Sequence, residues 1–126
     1  MGRNVLVTGS SHGIGAAVAI AFAKQGDNVG ITYLKSPEGA KAVQAECLKY
    51  GVDAQIFQVD LSVRSQCEKL MQDFLAHYET IDVLINNAGG ALQIPRGEFE
   101  DMPLDYWDSQ IALNLNACAY CAHAAV

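Results

Sequence analysis

The segment from Thr8 to Gly15 reads TGSSHGIG and places three glycines within seven residues. Gly9 would let the chain turn sharply at the end of a strand, because glycine adopts backbone conformations that other residues avoid. Gly13 and Gly15 lack a Cβ, so the backbone could approach a pyrophosphate, and the N–H groups that open the next helix could face that anion. The spacing is GxxxGxG, which differs from the GxGxxG of the standard dinucleotide fingerprint. The segment predicts a nucleotide-binding loop, with a tight turn as the alternative. His12 is interpreted either as a polar residue at the ligand entrance or as an exposed residue without a role.

Polar side chains also follow two later predicted strands. Asp60 comes directly after strand three, and Asn86-Asn87-Ala88-Gly89 follows strand four. Ligand contacts gather at the carboxyl ends of strands in open α/β sheets, and in the strand order 3-2-1-4 the fourth strand neighbours the first. The tetrapeptide should therefore border the same crevice as the glycine loop. Its amide side chains could bond a ligand or hold backbone groups in register, and Asp60 could equally be an ordinary residue before a helix.

Asn114 lies in the last predicted helix, in a stripe that also contains Trp107, Ile111, Cys118 and Cys121. An amide within an apolar stripe costs stability unless it is hydrogen-bonded. Two interpretations remain open at this point, a buried structural amide and a site residue directed towards the crevice.

Four apolar runs alternate with helical periods along the chain and must position these residues. Strands are predicted at residues 4–8, 28–33, 53–59 and 81–85, and a loop at 88–102. The helices are predicted to begin at Ile14, after the N-caps Ser36 and Ser62, and at residue 103 or 104. We predict one domain over residues 1–126. The alternation predicts a parallel, doubly wound α/β sheet of the Rossmann type, incomplete at about four strands.

Helical periodicity also predicts which residues face the sheet. The first helix is predicted to bury Ile14, Ala17, Val18, Ala21 and Phe22. The third is predicted to bury Val63, Cys67, Leu70, Met71, Phe74, Leu75 and Tyr78.

Composition narrows the class of protein. The 126 residues are 51% hydrophobic and 17% charged, which favours a packed core over disorder. A net charge of −6 and a pI of about 4.8 argue against a nucleic-acid-binding protein. No apolar run reaches membrane-spanning length and no signal peptide is visible, so a cytoplasmic protein without a membrane partner is expected.

Four cysteines are few for a disulfide scaffold, which also fits a reducing compartment. Cys118 and Cys121 form a CxxC pair without a second ligand pair, so we interpret them as helix-face cysteines and expect no metal site.

These motifs together resemble the short-chain dehydrogenase/reductase family. The features are TGSSHGIG at 8–15, Asp60-Leu61, NNAG at 86–89, and Asn114-Leu115 within a helix that begins near Tyr106. They occur in order and at compatible spacings over essentially the whole chain. The combination is specific, whereas each feature alone is weak.

The resemblance implies roles for individual residues. The loop residues Gly9, Ser11, Gly13, Ile14 and Gly15 would hold the phosphates and ribose of a nicotinamide dinucleotide. Asp60 and Leu61 would contact its adenine, and Asn87, Ala88 and Gly89 would line the cofactor cleft. We add His12 and Tyr33 to the expected cofactor-binding residues.

The resemblance also assigns catalytic roles, not all of which this chain can fill. Asn114 matches the catalytic asparagine of the family, which helps a water link the active-site lysine to solvent. In such enzymes a tyrosine acts as the general acid or base and a serine orients the substrate carbonyl. None of the five tyrosines here has a lysine four residues later. We therefore expect the chain to be the first part of a longer protein and residues 1–126 alone not to turn over a substrate.

The end of strand two bears on the type of cofactor. NAD-preferring sites commonly place an acidic residue there, on the ribose 2′-OH. Here no acid occurs between Ile31 and Glu38, whereas Lys35 and Ser36 could receive a 2′-phosphate. The sequence thus favours NADP(H) over NAD(H). His12 weakens this preference, because NADP-preferring relatives often have a basic residue in the glycine loop.

Three functions remain under consideration. The first is an NADP(H)-dependent oxidoreductase acting on a small carbonyl or alcohol substrate, similar in style to 3-oxoacyl-thioester reductases. The second is a non-catalytic nucleotide-binding or regulatory module. The third, a methyltransferase using S-adenosylmethionine, is disfavoured by NNAG and Asn114. Small residues on several faces of the last helix would allow close packing between subunits, with a plain core helix as an equal alternative. The family resemblance favours a homo-oligomer, a dimer or tetramer.

Overall fold

The computed structural model describes residues 2–89 and 97–126 and has four strands alternating with helices. The part of the predicted loop at 90–96 lies outside the described residues. The strands are β1 (Asn4–Val7), β2 (Asn28–Tyr33), β3 (Ala54–Gln58) and β4 (Val83–Ile85). The helices are α1 (Gly13–Lys24), α2 (Pro37–Leu48), α3 (Arg64–Tyr78), α4 (Leu104–Ile111) and α5 (Ala117–Ala125). A 3₁₀ turn covers Phe99–Asp101, and a π-helical turn, Ala112–Asn116, joins α4 to α5.

All four strands are parallel and lie in the order β3-β2-β1-β4. Val7 at the end of β1 pairs with Ile85 at the end of β4, which brings the loops after these two strands together. The predicted Rossmann-type α/β fold and its strand order are confirmed. Among the described residues β4 has no neighbouring strand on its outer side, so the sheet is incomplete.

Helices cover both faces of the sheet and form two cores. Val5 and Val7 of β1 face α1 and α2, whereas Leu6 between them faces α3 and α5. Successive side chains of a strand point to opposite faces, so one buried strand serves both cores. On the α3 side, Phe74 lies against β2 where Gly30 leaves room for its ring, because a Cβ on Gly30 would lie 2.7 Å from it.

The predicted buried face of α1 is wrong in part, since Val18 and Phe22 pack against the core as expected but the other three residues do not. Ile14 is 77% exposed and Ala17 and Ala21 are also exposed, whereas Gly15, Ala19 and Ala23 are buried. The helix begins so close to β1 that only small side chains fit beneath it, and the larger apolar residues lie along its flanks. Periodicity located the helix, but the distance between helix and sheet selected the face.

The face predicted for α3 agrees better with the structure. Cys67, Leu70, Met71 and Phe74 are buried as expected, while Val63 is exposed and is itself the N-cap residue. The prediction of Ser62 as N-cap is wrong, because its hydroxyl donates to Asp60 Oδ1 at 2.6 Å instead.

Ser36 does occupy the N-cap of α2, with Pro37 first in the helix, although its hydroxyl donates to the Glu38 carboxylate rather than to a backbone group. In the described ranges, no helix has the length and apolar character needed to cross a membrane.

Candidate cofactor cleft

A cleft of about 420 Å³ opens at the carboxyl ends of β1, β2 and β4. It lies where the chain order of the sheet reverses, the usual ligand position in open α/β folds. Its lining residues are Gly9, Ser11, His12, Gly13, Ile14, Gly15, Thr32, Tyr33, Leu34, Val59, Leu61, Asn87, Ala88, Gly89 and Leu113.

Eleven of the fourteen residues expected to bind a cofactor are in this set, and Lys35, Ser36 and Asp60 are not. Sequence reasoning missed Thr32, Leu34, Val59 and Leu113. Thr32, Leu34 and Val59 adjoin expected residues at strand ends, which is the signal that could have identified them.

Two glycines of the loop are required for different reasons. Gly9 has φ +63°, and a Cβ there would lie 2.9 Å from the Ala88 Cα. Gly15 has no unusual φ, but a Cβ there would overlap the Gly9 carbonyl oxygen and lie 2.5 Å from Asn87 Nδ2. The start of α1 therefore packs directly on the loop and on β4, which brings its first N–H groups to the cleft.

The buried hydroxyl of Thr8 joins the ends of β1 and β4. Its Oγ1 accepts the N–H groups of Asn87 and Ala88 at 3.1 and 3.0 Å and donates to the Ile85 carbonyl at 3.4 Å. Thr8 is only 2% exposed, so this hydroxyl supplies an acceptor that water cannot easily replace. The residue was not among the expected site residues, because its role depends on a neighbour 79 positions away.

The side chain of Asn87 holds the other side of the same junction. Its Nδ2 donates to the carbonyls of Thr8 and Gly9 at 3.2 and 3.1 Å. Of the two roles left open for this amide, the contacts favour holding the backbone in register over bonding a ligand. The amide of Asn87 thereby fixes the course of the glycine loop.

The loop is also tied to β2 by buried hydroxyls. The Gly9 N–H donates to Thr32 Oγ1 at 2.8 Å, and the Thr32 N–H donates to Ser10 Oγ at 3.0 Å. Ser10 Oγ in turn donates to the Val7 carbonyl at 2.7 Å. These hydrogen bonds, together with those of Asn87, therefore hold the first residues of the loop against β1, β2 and the segment after β4 without the help of a ligand.

The opening of α1 is suited to an anion. His12 is the N-cap residue, and its side chain makes no capping hydrogen bond to the first N–H groups of the helix. No carboxylate is among the lining residues of the cleft. Exposed His12 shares a hydrogen bond of 3.0 Å with Ser11 Oγ. Uncapped N–H groups at a helix start attract negative charge.

The end of β2 places its residues at different distances from the cleft. Tyr33 and Leu34 line it, whereas Lys35 and Ser36 are exposed just beyond it. The contact between the Ser36 hydroxyl and Glu38 lowers the pKa of that carboxyl from its usual value. A negative charge therefore stands beside the two residues expected to receive a 2′-phosphate.

Asp60 and Leu61, which were expected to act together, border different cavities in the structure. Leu61 is buried and lines the cleft, but the Asp60 carboxylate accepts from the Ser62 N–H at 3.0 Å and from its hydroxyl. Asp60 borders a second, larger groove of about 640 Å³ between β3 and α3, which Leu34 also borders. The glycine loop is not part of that groove, so the smaller cleft is the better candidate site.

The π-helical turn brings Asn114 to the cleft. A Cβ on Gly89 would lie 2.6 Å from Asn114 Oδ1, and Leu113 lines the cleft. Asn114 Nδ2 donates to the carbonyl of Gln110 at 3.1 Å and to its side-chain oxygen at 3.3 Å. The structure thus places Asn114 beside the segment that follows β4. Single π turns within helices are frequent at functional sites.

Exposure separates the two interpretations of Asn114. Its side chain is exposed, and Trp107 of the same predicted stripe is 51% exposed. The interpretation as a buried structural amide is therefore wrong. Cys121 of the predicted stripe is buried in the α3 core together with Ala117.

Cys121 of the cysteine pair belongs to the core, whereas Cys118 is only partly buried. Cys121 is fully buried, and burial raises its pKa to about 12, so it remains a thiol at neutral pH. All four cysteines are free, and no cluster of metal-ligating side chains occurs in the described part of the chain.

A parallel sheet with a glycine loop at its switch point and an uncapped helix start defines a Rossmann-type nucleotide-binding protein. The profile of one such family, described as short chain dehydrogenase, matches residues 3–126. The chain belongs to this family, whose members are NAD(P)-dependent oxidoreductases.

Three known proteins illustrate the similarity. The 3-oxoacyl-(acyl-carrier-protein) reductase of Staphylococcus aureus is 33% identical over 126 residues, which are 99% of this chain and 50% of the relative. A short chain dehydrogenase from Burkholderia cenocepacia in complex with NADP is 35% identical with a TM-score of 0.92, covering 99% of this chain and 50% of that one. An NADH-dependent reductase, A1-R′, complexed with NAD is 31% identical with a TM-score of 0.90, and the match covers 98% of this chain and 50% of that chain. The chain spans about half the length of these proteins.

Proposed function

We propose that this chain is the N-terminal, cofactor-binding part of a single Rossmann domain in a carbonyl reductase or alcohol dehydrogenase that uses NADP(H). The observation that carries the proposal is the Gly9–Gly15 contact, which leaves the first N–H groups of α1 facing a cleft lined without carboxylates. Such an arrangement suits a pyrophosphate. When bound, the nicotinamide would supply the hydride that is exchanged with the substrate.

The residues of the cleft fit the parts of such a cofactor. The backbone of Ser11, Gly13, Ile14 and Gly15 lines the part of the cleft proposed for the phosphates. Leu34, Val59 and Leu61 supply an apolar wall for a base. Ala88, Gly89 and Asn114 border the end of the cleft below β4, where a nicotinamide and a substrate carbonyl would meet.

NADP(H) is favoured by the charges beyond β2. Lys35 is exposed at the edge of the cleft and could approach a 2′-phosphate, while Ser36 could add a hydrogen bond. Glu38 opposes this, because it engages the Ser36 hydroxyl. The similar proteins include one complexed with NADP and one complexed with NAD, so the family allows either cofactor.

Lys35→Ala should weaken NADPH binding about fivefold and leave NADH binding unchanged. An exposed ion pair contributes up to about 1 kcal/mol, which corresponds to that factor. Dissociation constants measured by fluorescence titration of both cofactors would check this. Lys24→Ala at the far end of α1 is the matched control and should change neither constant. An equal loss for NADPH and NADH would contradict the role given to the 2′-phosphate.

Catalysis needs groups beyond those in this chain. Asn114 would act as a positioning residue for the water that connects a lysine to solvent, but the chain holds no YxxxK pair. We therefore expect purified residues 1–126 to show no cofactor-dependent ketone reduction, whereas a protein that continues into a serine and YxxxK should reduce ketones. Turnover by residues 1–126 alone, measured as NADPH oxidation at 340 nm, would contradict this expectation.

A non-catalytic nucleotide-binding or regulatory module is the second candidate, because the cleft and glycine loop described above need no catalytic group to hold a nucleotide. The residues after Val126 distinguish the two proposals. A serine followed by YxxxK supports the enzyme, and their absence supports the module. A 3-oxoacyl thioester is one candidate substrate, supported by the similarity to the Staphylococcus aureus reductase.

The compartment, the oligomeric state and the binding partners of the protein are also proposals. Four free thiols fit a reducing, cytoplasmic compartment. Assembly as a dimer or tetramer through the small residues of α5, and a lack of nucleic-acid binding given the acidic net charge, are further expectations.

A further inference from the structure

Helix α2 approaches the glycine loop closely at Gly39. A Cβ on Gly39, in the first turn of α2, would lie 2.6 Å from the Ser11 carbonyl oxygen and 3.6 Å from the Ser11 Cβ. Real Cβ atoms essentially never approach a backbone oxygen to that distance. Only glycine therefore allows α2 to begin this close to the loop.

The loop residues directly before Ser11 are held firmly. Backbone groups of Thr8 and Gly9 accept from Asn87, and Ser10 and Thr32 bond one another and the loop. These bonds connect the loop to three strands. A side chain at position 39 would therefore displace α2 more readily than it would displace Ser11.

The α2 side of the contact carries the residues that face the outer end of the cofactor cleft. Lys35 and Ser36 directly precede Pro37, the first residue of α2, so they move with the first turn of this helix. Further along, Ala40 and Val43 are buried against the sheet. A shift at Gly39 would tilt the start of α2 about this buried anchor and carry Lys35 away from the loop.

We propose that Gly39 is a positioning residue that sets the distance between the Lys35–Ser36 segment and the glycine loop, and so sets the discrimination between NADP(H) and NAD(H). This rests on the proposed cofactor site and deepens it. The phosphate-binding start of α1 is independent of the contact, because it is fixed by Gly15 against Gly9 and Asn87.

The test is a double-substitution cycle in the whole protein that contains this chain. Dissociation constants for NADPH and NADH are measured for the unsubstituted protein, Gly39→Ala, Lys35→Ala and the double variant. Gly39→Ala should weaken NADPH binding by up to about fivefold, because loss of the exposed ion pair between Lys35 and the 2′-phosphate costs at most about that factor. NADH binding should be unchanged. In the Lys35→Ala background Gly39→Ala should have no further effect on the ratio, because the charge it displaces is already gone.

Thermal unfolding provides a second readout. Alanine is the better helix former, so without the overlap Gly39→Ala would raise the unfolding temperature. Gly97→Ala, where a Cβ meets nothing within 4 Å, is the matched control and should leave both affinities unchanged.

The outcomes are distinguishable. Failure of the unsubstituted protein to bind either dinucleotide would overturn the proposed function itself. Binding that is intact, with an unchanged NADPH-to-NADH ratio in Gly39→Ala, would overturn only the role of Gly39. Equal weakening of both cofactors, additivity with Lys35→Ala, or a Gly39→Ala protein that does not fold would also overturn it.

Discussion

Gly15→Ala is expected to weaken dinucleotide binding about 10- to 100-fold. The added Cβ would overlap the Gly9 carbonyl oxygen and lie 2.5 Å from Asn87 Nδ2, and both groups are fixed by other hydrogen bonds. Overpacking of this kind costs typically about 1–3 kcal/mol, which converts to roughly that range of affinity. The helix would have to move away from the loop, taking its first N–H groups with it.

The measurement is a fluorescence titration with NADPH, accompanied by thermal unfolding without cofactor. Gly97→Ala is the control, because a Cβ there has open space. Helix propensity alone would stabilise Gly15→Ala. A variant that is more stable and binds NADPH normally would therefore refute the close packing of α1 on the loop.

Thr8→Val is expected to lower the free energy of unfolding by about 1–3 kcal/mol. Valine has the shape of threonine but cannot accept the N–H of Ala88, and a part-buried donor left unpaired costs up to about that amount, whereas the Asn87 N–H still donates to the Ile85 carbonyl at 3.1 Å. The β1 and β4 ends would separate, so cofactor affinity should fall as well. Urea unfolding of the whole protein measures the loss of free energy of unfolding.

Thr8→Ser distinguishes the contribution of the hydroxyl to stability from that of the methyl group. It keeps the acceptor and loses one buried methyl, which costs about 0.8 kcal/mol. Thr8→Ser should therefore be the more stable of the two variants. Equal stability, or a more stable Thr8→Val, would show that the buried hydroxyl does not hold the two strand ends together.

Much of the cleft could be predicted from local patterns. The alternation of apolar runs with helical periods predicted four parallel strands, and the glycine spacing marked where the first strand meets its helix. The Asn87-Ala88-Gly89 segment was expected at the same crevice because strand four neighbours strand one, and the β1–β4 pairing places it there. Such features can be read from sequence because they repeat at short, regular intervals.

The errors share a physical cause. The face of α1 was assigned by side-chain hydrophobicity, but the close approach at Gly15 admits only small residues beneath the helix. Asn114 was placed on a regular helix, whereas the π turn changes its direction and exposes it. Both depend on distances between elements far apart in the chain, and no local pattern contains those distances.

The amino-acid sequence determined that strands and helices alternate and that a glycine loop opens the first helix, because backbone freedom and apolar periodicity are properties of neighbouring residues. Only the tertiary structure decided that Thr8 and Asn87 hold the loop, that Asp60 faces another groove, and that Gly39 meets Ser11. These contacts join residues 28 to 80 positions apart, or follow from how closely helices pack on the sheet. Their geometry is fixed only when the whole sheet and its helices are assembled.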